Sequence, residues 1–195
     1  MVQLARIFFP GSPHLVTQRG NRREMVFFEP DDYRAYLELL AEATRKAETQ
    51  VWAYCPMPNH VHLILLPRHG DSLRATLADT HRQHTRRINA RKQWTGHLWQ
   101  GRFSSVTMDE GHLASAERYV SLNPVREGLV GRSADWPWSS VTAHLSGRED
   151  ALAWYGRYST EFPISAACWK APRMRRARRP CAAAETVSRP LDSET

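Results

Sequence analysis

Cysteine is scarce in this 195-residue chain, which carries only Cys55, Cys168 and Cys181. An odd set without paired spacing excludes a disulfide framework and fits a reduced compartment. Long apolar runs are also lacking. Runs such as 51–55 and 63–66 fall far short of the roughly 18 apolar residues a membrane span needs, and the opening MVQLARIFFPGSPH lacks a secretory apolar core. A cytoplasmic protein without a membrane segment is expected. Acidic residues are the third shortage: 20 Asp and Glu stand against 27 Lys and Arg, giving a formal charge of +7 and a pI near 9.8. Most of that excess is arginine, whose planar guanidinium meets phosphate at two points, so a polyanionic partner is expected. With 42% hydrophobic residues the chain is globular, and its length suits one domain with a tail.

HLVTQR (14–19) reads as a strand stopped by the Gly20-Asn21 turn, and MVFF (25–28) is a second apolar stretch. In residues 31–50, Tyr33, Tyr36, Leu37, Leu40, Ala43 and Ala47 recur at helical spacing behind Pro30, Asp31 and Asp32, a helix start. VWAYC (51–55) reads as a strand and PMPN (56–59) as a bend, because two prolines withhold ladder donors; HVHLILL (60–66) is then a strand hairpinned to the first. Residues 71–92 form a long helix capped at Asp71 or Ser72, apolar along Leu73, Leu77, His84 and Ile88 and basic in its second half at Arg82, Arg86, Arg87 and Arg91. FSSVTM (103–108) gives another strand, and HLASAERYVSLN (112–123) a helix ended by Pro124. This order predicts an α+β fold: a ferredoxin-like antiparallel sheet with helices packed on one face, plus a basic C-terminal tail. Residues 1–150 are read as the domain and 151–195, with RMRRARR, as a flexible basic tail.

Three groups of residues could carry chemistry. His60 and His62 are two apart on a strand and share a face, where neutral imidazoles can hold one metal ion; such a pair can equally be two surface or satisfied histidines. Tyr119 and Asn123 are four apart on a helix and project together, Tyr119 being either a rim tyrosine or a nucleophile toward phosphorus. WTGHLWQGRF (94–103) interleaves Trp99 with Arg102, a pattern for stacking unpaired bases or for filling a core. Arg19, Arg22 and Arg23 surround a turn that is either solvated or phosphate-binding.

Taken together, VTQRGNRRE, DDYRAYLELL, AYCPMPNHVHLIL, GHLWQGRFSS, RYVSLNPVREGLV and DWPWSSVTAHLSG, within residues 14–147, resemble the REP-associated tyrosine transposases of the HUH single-tyrosine superfamily. The resemblance implies that His60 and His62 hold Mg²⁺ or Mn²⁺, that Asn123 completes the metal site and that Tyr119 is the nucleophile. It further implies a metal-dependent single-stranded DNA endonuclease and strand transferase that cuts beside a DNA hairpin, at a flanking tetranucleotide, through a 5′-phosphotyrosine. Arg19, Arg22, Arg23, Arg82, Arg86, Arg87, Trp99 and Arg102 are then the candidate DNA contacts, and a cytoplasmic, nucleoid-associated place is expected. The alternative is a non-catalytic hairpin-binding protein or regulator derived from a transposase. Whether the protein works as a monomer or a homodimer is left open by the sequence. Pro56 stands where the family pattern usually has an apolar residue.

Overall fold

Side chains on a strand alternate between faces, and the third strand in sequence order shows what that does here. The computed structural model describes residues 9–147, 150 and 152–153. The strands are β1 (His14–Arg19), β2 (Thr49–Met57), β3 (His60–Pro67) and β4 (Ser104–Thr107), and the helices α1 (Pro30–Lys46), α2 (Ser72–Lys92), α3 (Glu110–Arg126) and α4 (Val141–Ser146). All strands pair antiparallel in the order β2-β3-β1-β4, the ferredoxin-like arrangement. Val61, Leu63 and Leu65 of β3 point to one side, where they join Tyr33, Tyr36 and Leu40 of α1 and Leu73, Leu77 and Ile88 of α2. Ile64 points to the other, where it joins Cys55, Met57, Leu113 and Val120. The expectation of helices on one face thus holds for α1 and α2, whereas α3 covers the opposite face, the histidine side of β3. The predicted tail, residues 151–195, lies outside the described residues except for Leu152 and Ala153, and Ala153 forms a parallel bridge with Val51.

Two prolines behave differently from expectation. Pro56 is inside β2, paired with Val61, and only Pro58 and Asn59 make the turn. The reason is that β2 is an edge strand and this part of its outer side faces another segment. The Trp136 indole N–H donates to the Pro56 carbonyl at 3.0 Å, and the Ser140 N–H donates to that of Tyr54 at 3.1 Å. On such an edge a missing outward N–H costs the ladder nothing. Pro124, expected to end the helix, sits inside α3. Only one further turn follows it, and Gly128 then leaves the helical region at φ +70. MVFF forms no strand; Val26 and Phe27 are core residues of a loop whose backbone N–H groups both donate to the Pro58 carbonyl.

The α1–α2 pair is tied by a buried carboxylate. Asp32 accepts from Arg91 at 2.6 and 2.7 Å and closes a capping box at the start of α1 with the Phe28 and Glu29 N–H groups. Desolvation opposes ionisation of Asp32, but Arg91 and these N–H donors hold its pKa below the usual value. Arg91 is therefore structural, not one of the free cations of the basic helix.

Histidines packed in this layer make the fold acid-sensitive. Loss of hydration pushes His81 down to about 3 and His84 to about 4, against 6.5 for a free imidazole. An unfolded chain takes up these protons near pH 6.5, and the folded chain does not until pH 3–4, so acid favours unfolding. Stability is expected to be greatest above about pH 6.5 and to fall by up to about 1.4 kcal/mol per pH unit for each such histidine between there and pH 4. Urea melts across that range test it; a flat profile contradicts it.

Gly20 closes β1 where a side chain has no room. A Cβ built there would lie 2.3 Å from the Glu24 carbonyl oxygen and 2.8 Å from Val26. Its conformation is ordinary for any residue, φ −61 and ψ 146, so the need is for close approach. Gly20→Ala is expected to destabilise the protein by about 1–3 kcal/mol, read as a lower urea midpoint with an unchanged slope.

Candidate active site

β3 begins directly after the Pro58-Asn59 turn, so His60 and His62 are placed by the first residues of a paired strand. Their cross-strand neighbours on β1 are Arg19 for His60 and Thr17 for His62. Both imidazoles are buried, their ring centroids 4.8 Å apart and nearly perpendicular. Burial, helped by the Arg19 charge, pushes His60 down to about 4; burial, then His60 and Arg19, pushes His62 down to about 3. Each is neutral at pH 7 and has a lone pair to offer.

Hydrogen bonds choose which nitrogen offers it. Asn59 Nδ2 donates to the Arg23 carbonyl at 3.1 Å, which turns Asn59 Oδ1 toward His60 Nδ1 at 2.6 Å. An amide oxygen only accepts, so His60 Nδ1 carries the proton and Nε2 the lone pair. His62 Nδ1 lies 3.1 Å from Thr17 Oγ1, a hydroxyl that accepts from one tautomer, leaving Nε2 the lone pair, and donates to the other.

α3 brings the tyrosine. Its first turn is capped by Asp109, which accepts from the His112 N–H at 2.9 Å, and its rotation is fixed by Leu113 and Val120 packed with Ile64, Cys55 and Met57. Tyr119, next to Val120, comes up beside the histidines, its ring 5.2 Å from that of His62 and edge-on at 88°. It remains 39% exposed, so a large ligand can reach it. Arg126, two turns on, places its guanidinium 5.2 Å from the ring centre. Asn123, one turn beyond Tyr119, is buried, and its Nδ2 has no hydrogen-bond partner among the described residues. Half a rotation of the carboxamide puts its oxygen there instead.

These groups fit a hard divalent cation in part. His60 Nε2 is preset by the Asn59 bond, His62 adds a second neutral imidazole, and the Asn123 amide offers an oxygen. Among the described residues no cluster of three or more His, Cys, Asp or Glu is suited to a metal. Any ion here would complete its shell with water and substrate oxygen, as Mg²⁺ commonly does.

The remaining predicted residues fall in three places. Arg19 faces the histidines. Arg22 and Arg23 are exposed on the following turn, both in the left-handed region at φ 52 and 62. Such strain costs about 1–2 kcal/mol per residue, and here the Asn59 bond to the Arg23 carbonyl helps to hold it. Arg82, Arg86 and Arg102 line a cavity on the other side of the sheet, Arg87 being exposed on the same helix. Trp99 is not an exposed stacking platform: it is 7% exposed and sits in the core against His81, with ring centroids 4.4 Å apart. Arg126, Thr17 and Asn59 were not anticipated. Arg126 is seven residues after Tyr119, a spacing that signals a shared helix face; Thr17 needs the strand register, which no local pattern carries.

The family model described as "Transposase IS200 like" matches residues 9–123. A protein of Haemophilus influenzae assigned as a REP-associated tyrosine transposase is 33% identical over 99 residues, 45% of this chain and 56% of that protein, so the chain spans just over half of that relative. The REP-associated tyrosine transposase of Escherichia coli is 23% identical over 158 residues, covering 80% and 92% of the two chains. Among solved structures, a REP-associated tyrosine transposase bound to a REP hairpin superposes with a TM-score of 0.65 over 78% of this chain and 90% of that one; at 22% identity the likeness is one of fold.

Proposed function

The chain belongs to the IS200-like transposase family, and from that premise we propose that it is a REP-associated strand transferase, binding a DNA hairpin and cutting the single strand beside it. The observation that carries this reading is the meeting of Tyr119 with His62 at 5.2 Å, with Arg19 and Arg126 alongside. The Tyr119 oxygen attacks phosphorus, and the bond from phosphorus to the 3′ oxygen breaks. The phenolic proton passes to solvent, the leaving 3′ oxygen takes one up, and the 5′-phosphate stays on the tyrosine. Attack of a 3′-hydroxyl on that linkage reverses the step and joins strands. Arg126, 5.2 Å from the centre of the Tyr119 ring, puts a positive charge where a phosphate held for attack by that tyrosine would lie. Arg19 faces the place where phosphate charge must be held.

His60, His62 and Asn123 would hold Mg²⁺ or Mn²⁺. When bound, such an ion supplies Lewis-acid stabilisation of charge developing on the phosphate. Asn59 fixes the His60 tautomer from outside, so Asn59→Ala is expected to weaken Mn²⁺ binding about 10- to 100-fold while the protein still folds cooperatively, its stability lowered only by the lost bond to Arg23, about 0.5–1.5 kcal/mol. Titration of the DNA-free protein with Mn²⁺, followed by paramagnetic resonance, measures this; unchanged affinity removes Asn59 from the role.

The reading is tested by incubating labelled single-stranded stem-loop DNA, drawn from a pool of stems with random flanks, with protein and Mn²⁺, then separating adducts on a denaturing gel. A labelled band at the protein's mass supports it. Tight binding without an adduct makes the protein a hairpin-binding regulator instead.

A further inference from the structure

Trp136, Ser140 and His144 recur every four residues in DWPWSSVTAHLSG, and each meets the outer edge of β2. The Trp136 indole N–H donates to the Pro56 carbonyl at 3.0 Å, the Ser140 N–H to that of Tyr54 at 3.1 Å, and His144 Nε2 to that of Trp52 at 3.0 Å. Alternate carbonyls along this stretch of edge strand are therefore taken in turn. The two spacings agree, because four residues of α4 rise about 6 Å and two residues of a strand about 6.6 Å. The Ser140 hydroxyl also accepts from the Tyr54 N–H at 3.1 Å. Directional polar bonds thus seat the start of α4 on the sheet.

The other ring nitrogen of His144 reaches α3. Its Nδ1 lies 3.2 Å from Glu117 Oε1, and the two side chains are 4% and 1% exposed. The Trp52 carbonyl only accepts, so Nε2 carries a proton; a carboxyl oxygen and a ring nitrogen held this close away from water need a second proton between them. Glu117 and Tyr119 are two residues apart, about 200° around the helix. They flank the stripe of Leu113 and Val120 that packs with Ile64, Cys55 and Met57 of the sheet. Asn123 and Arg126 fall on the tyrosine flank, within about 40° of Tyr119. Apolar burial has no preferred direction, so the stripe holds α3 against the sheet without fixing how far it rolls. The contact at Glu117 fixes the roll.

We propose that Glu117 and His144 are positioning residues, a pin from the β2 edge to the far flank of α3 that keeps Tyr119 at its place beside His62. Both are buried and neither meets DNA. The proposal rests on the reading of the protein as a DNA strand transferase.

The test breaks the pin without opening a hole. Exchanging a buried ion pair for apolar side chains of similar size is often neutral for stability, whereas removing one partner alone is not. Glu117→Leu with His144→Leu, and Glu117→Met with His144→Leu, are the breaking variants. Glu117→Gln, whose amide can donate to His144 Nδ1, is the conservative one. Two quantities are read for each: the single-turnover rate of adduct formation at saturating stem-loop DNA with Mn²⁺, and the fluorine resonance of Tyr119 in DNA-free protein grown with 3-fluorotyrosine, assigned by its absence in Tyr119→Phe. The breaking variants are expected to bind the stem-loop within about twofold of wild type and to form adduct about 10- to 100-fold more slowly. Their Tyr119 resonance is expected to shift or broaden, and Glu117→Gln to return both quantities toward wild type. A wild-type rate or a wild-type resonance in folded breaking variants overturns the proposal and leaves the transferase reading standing. Failure of both breaking variants to fold also overturns it, since the contact would then serve folding alone. If wild type forms no adduct with any stem-loop, the transferase reading fails and the pin's role in transfer falls with it.

Discussion

Tyr119→Phe is expected to abolish covalent attachment to DNA while leaving hairpin binding within about twofold of wild type, the scale of an exposed substitution. Phenylalanine keeps the ring that packs edge-on to His62 and lies under Arg126. Only the oxygen is lost. Other described tyrosines are poor substitutes: Tyr33, Tyr36 and Tyr54 are buried, and desolvation first, with carboxylates beside Tyr33 and Tyr54, raises all three phenols far above their usual value. Their phenolate is therefore almost absent at neutral pH. An adduct surviving in the phenylalanine variant would remove Tyr119 from the chemistry.

His62→Ala is expected to cut adduct formation about 100-fold or more, again with hairpin binding nearly intact. His62 is the residue that touches both Tyr119 and His60. On the proposed reading, its loss takes one ligand from the ion and leaves the tyrosine without its neighbour. Because these contacts lie within one chain, a mixture of His62→Ala and Tyr119→Phe proteins is expected to stay inactive. Recovery of adduct in the mixture would mean that the working site is assembled from two chains.

The sequence made the frame of this site legible. The alternation of HVHLILL put both histidines on one face, and the four-residue spacing of Tyr119 and Asn123 put both on one turn-related side of α3. Periodicity also identified seven major elements in their order. It could not show that α3 crosses to the histidine face, since that depends on how the chain leaves β4. Nor could it show that β2 tolerates Pro56, which depends on being an edge strand against Trp136 and Ser140. Arg91 read as one more cation of a basic helix, and Trp99 stayed open between base stacking and core, because charge and aromaticity carry no mark of burial. In the fold one is committed to Asp32 and the other to the core. The tautomer relay from the Arg23 carbonyl through Asn59 to His60 needs three segments in contact, beyond the reach of any local pattern.

The central claim is that the phenol at 119 and the imidazoles at 60 and 62 act on one phosphate. Its most direct test is to trap the protein on a labelled hairpin with Mn²⁺, digest protein and DNA, and locate the nucleotide by mass spectrometry. The account predicts a single modified residue, Tyr119, joined to a 5′-phosphate. A nucleotide on another residue, or none on protein that binds the hairpin tightly, contradicts it.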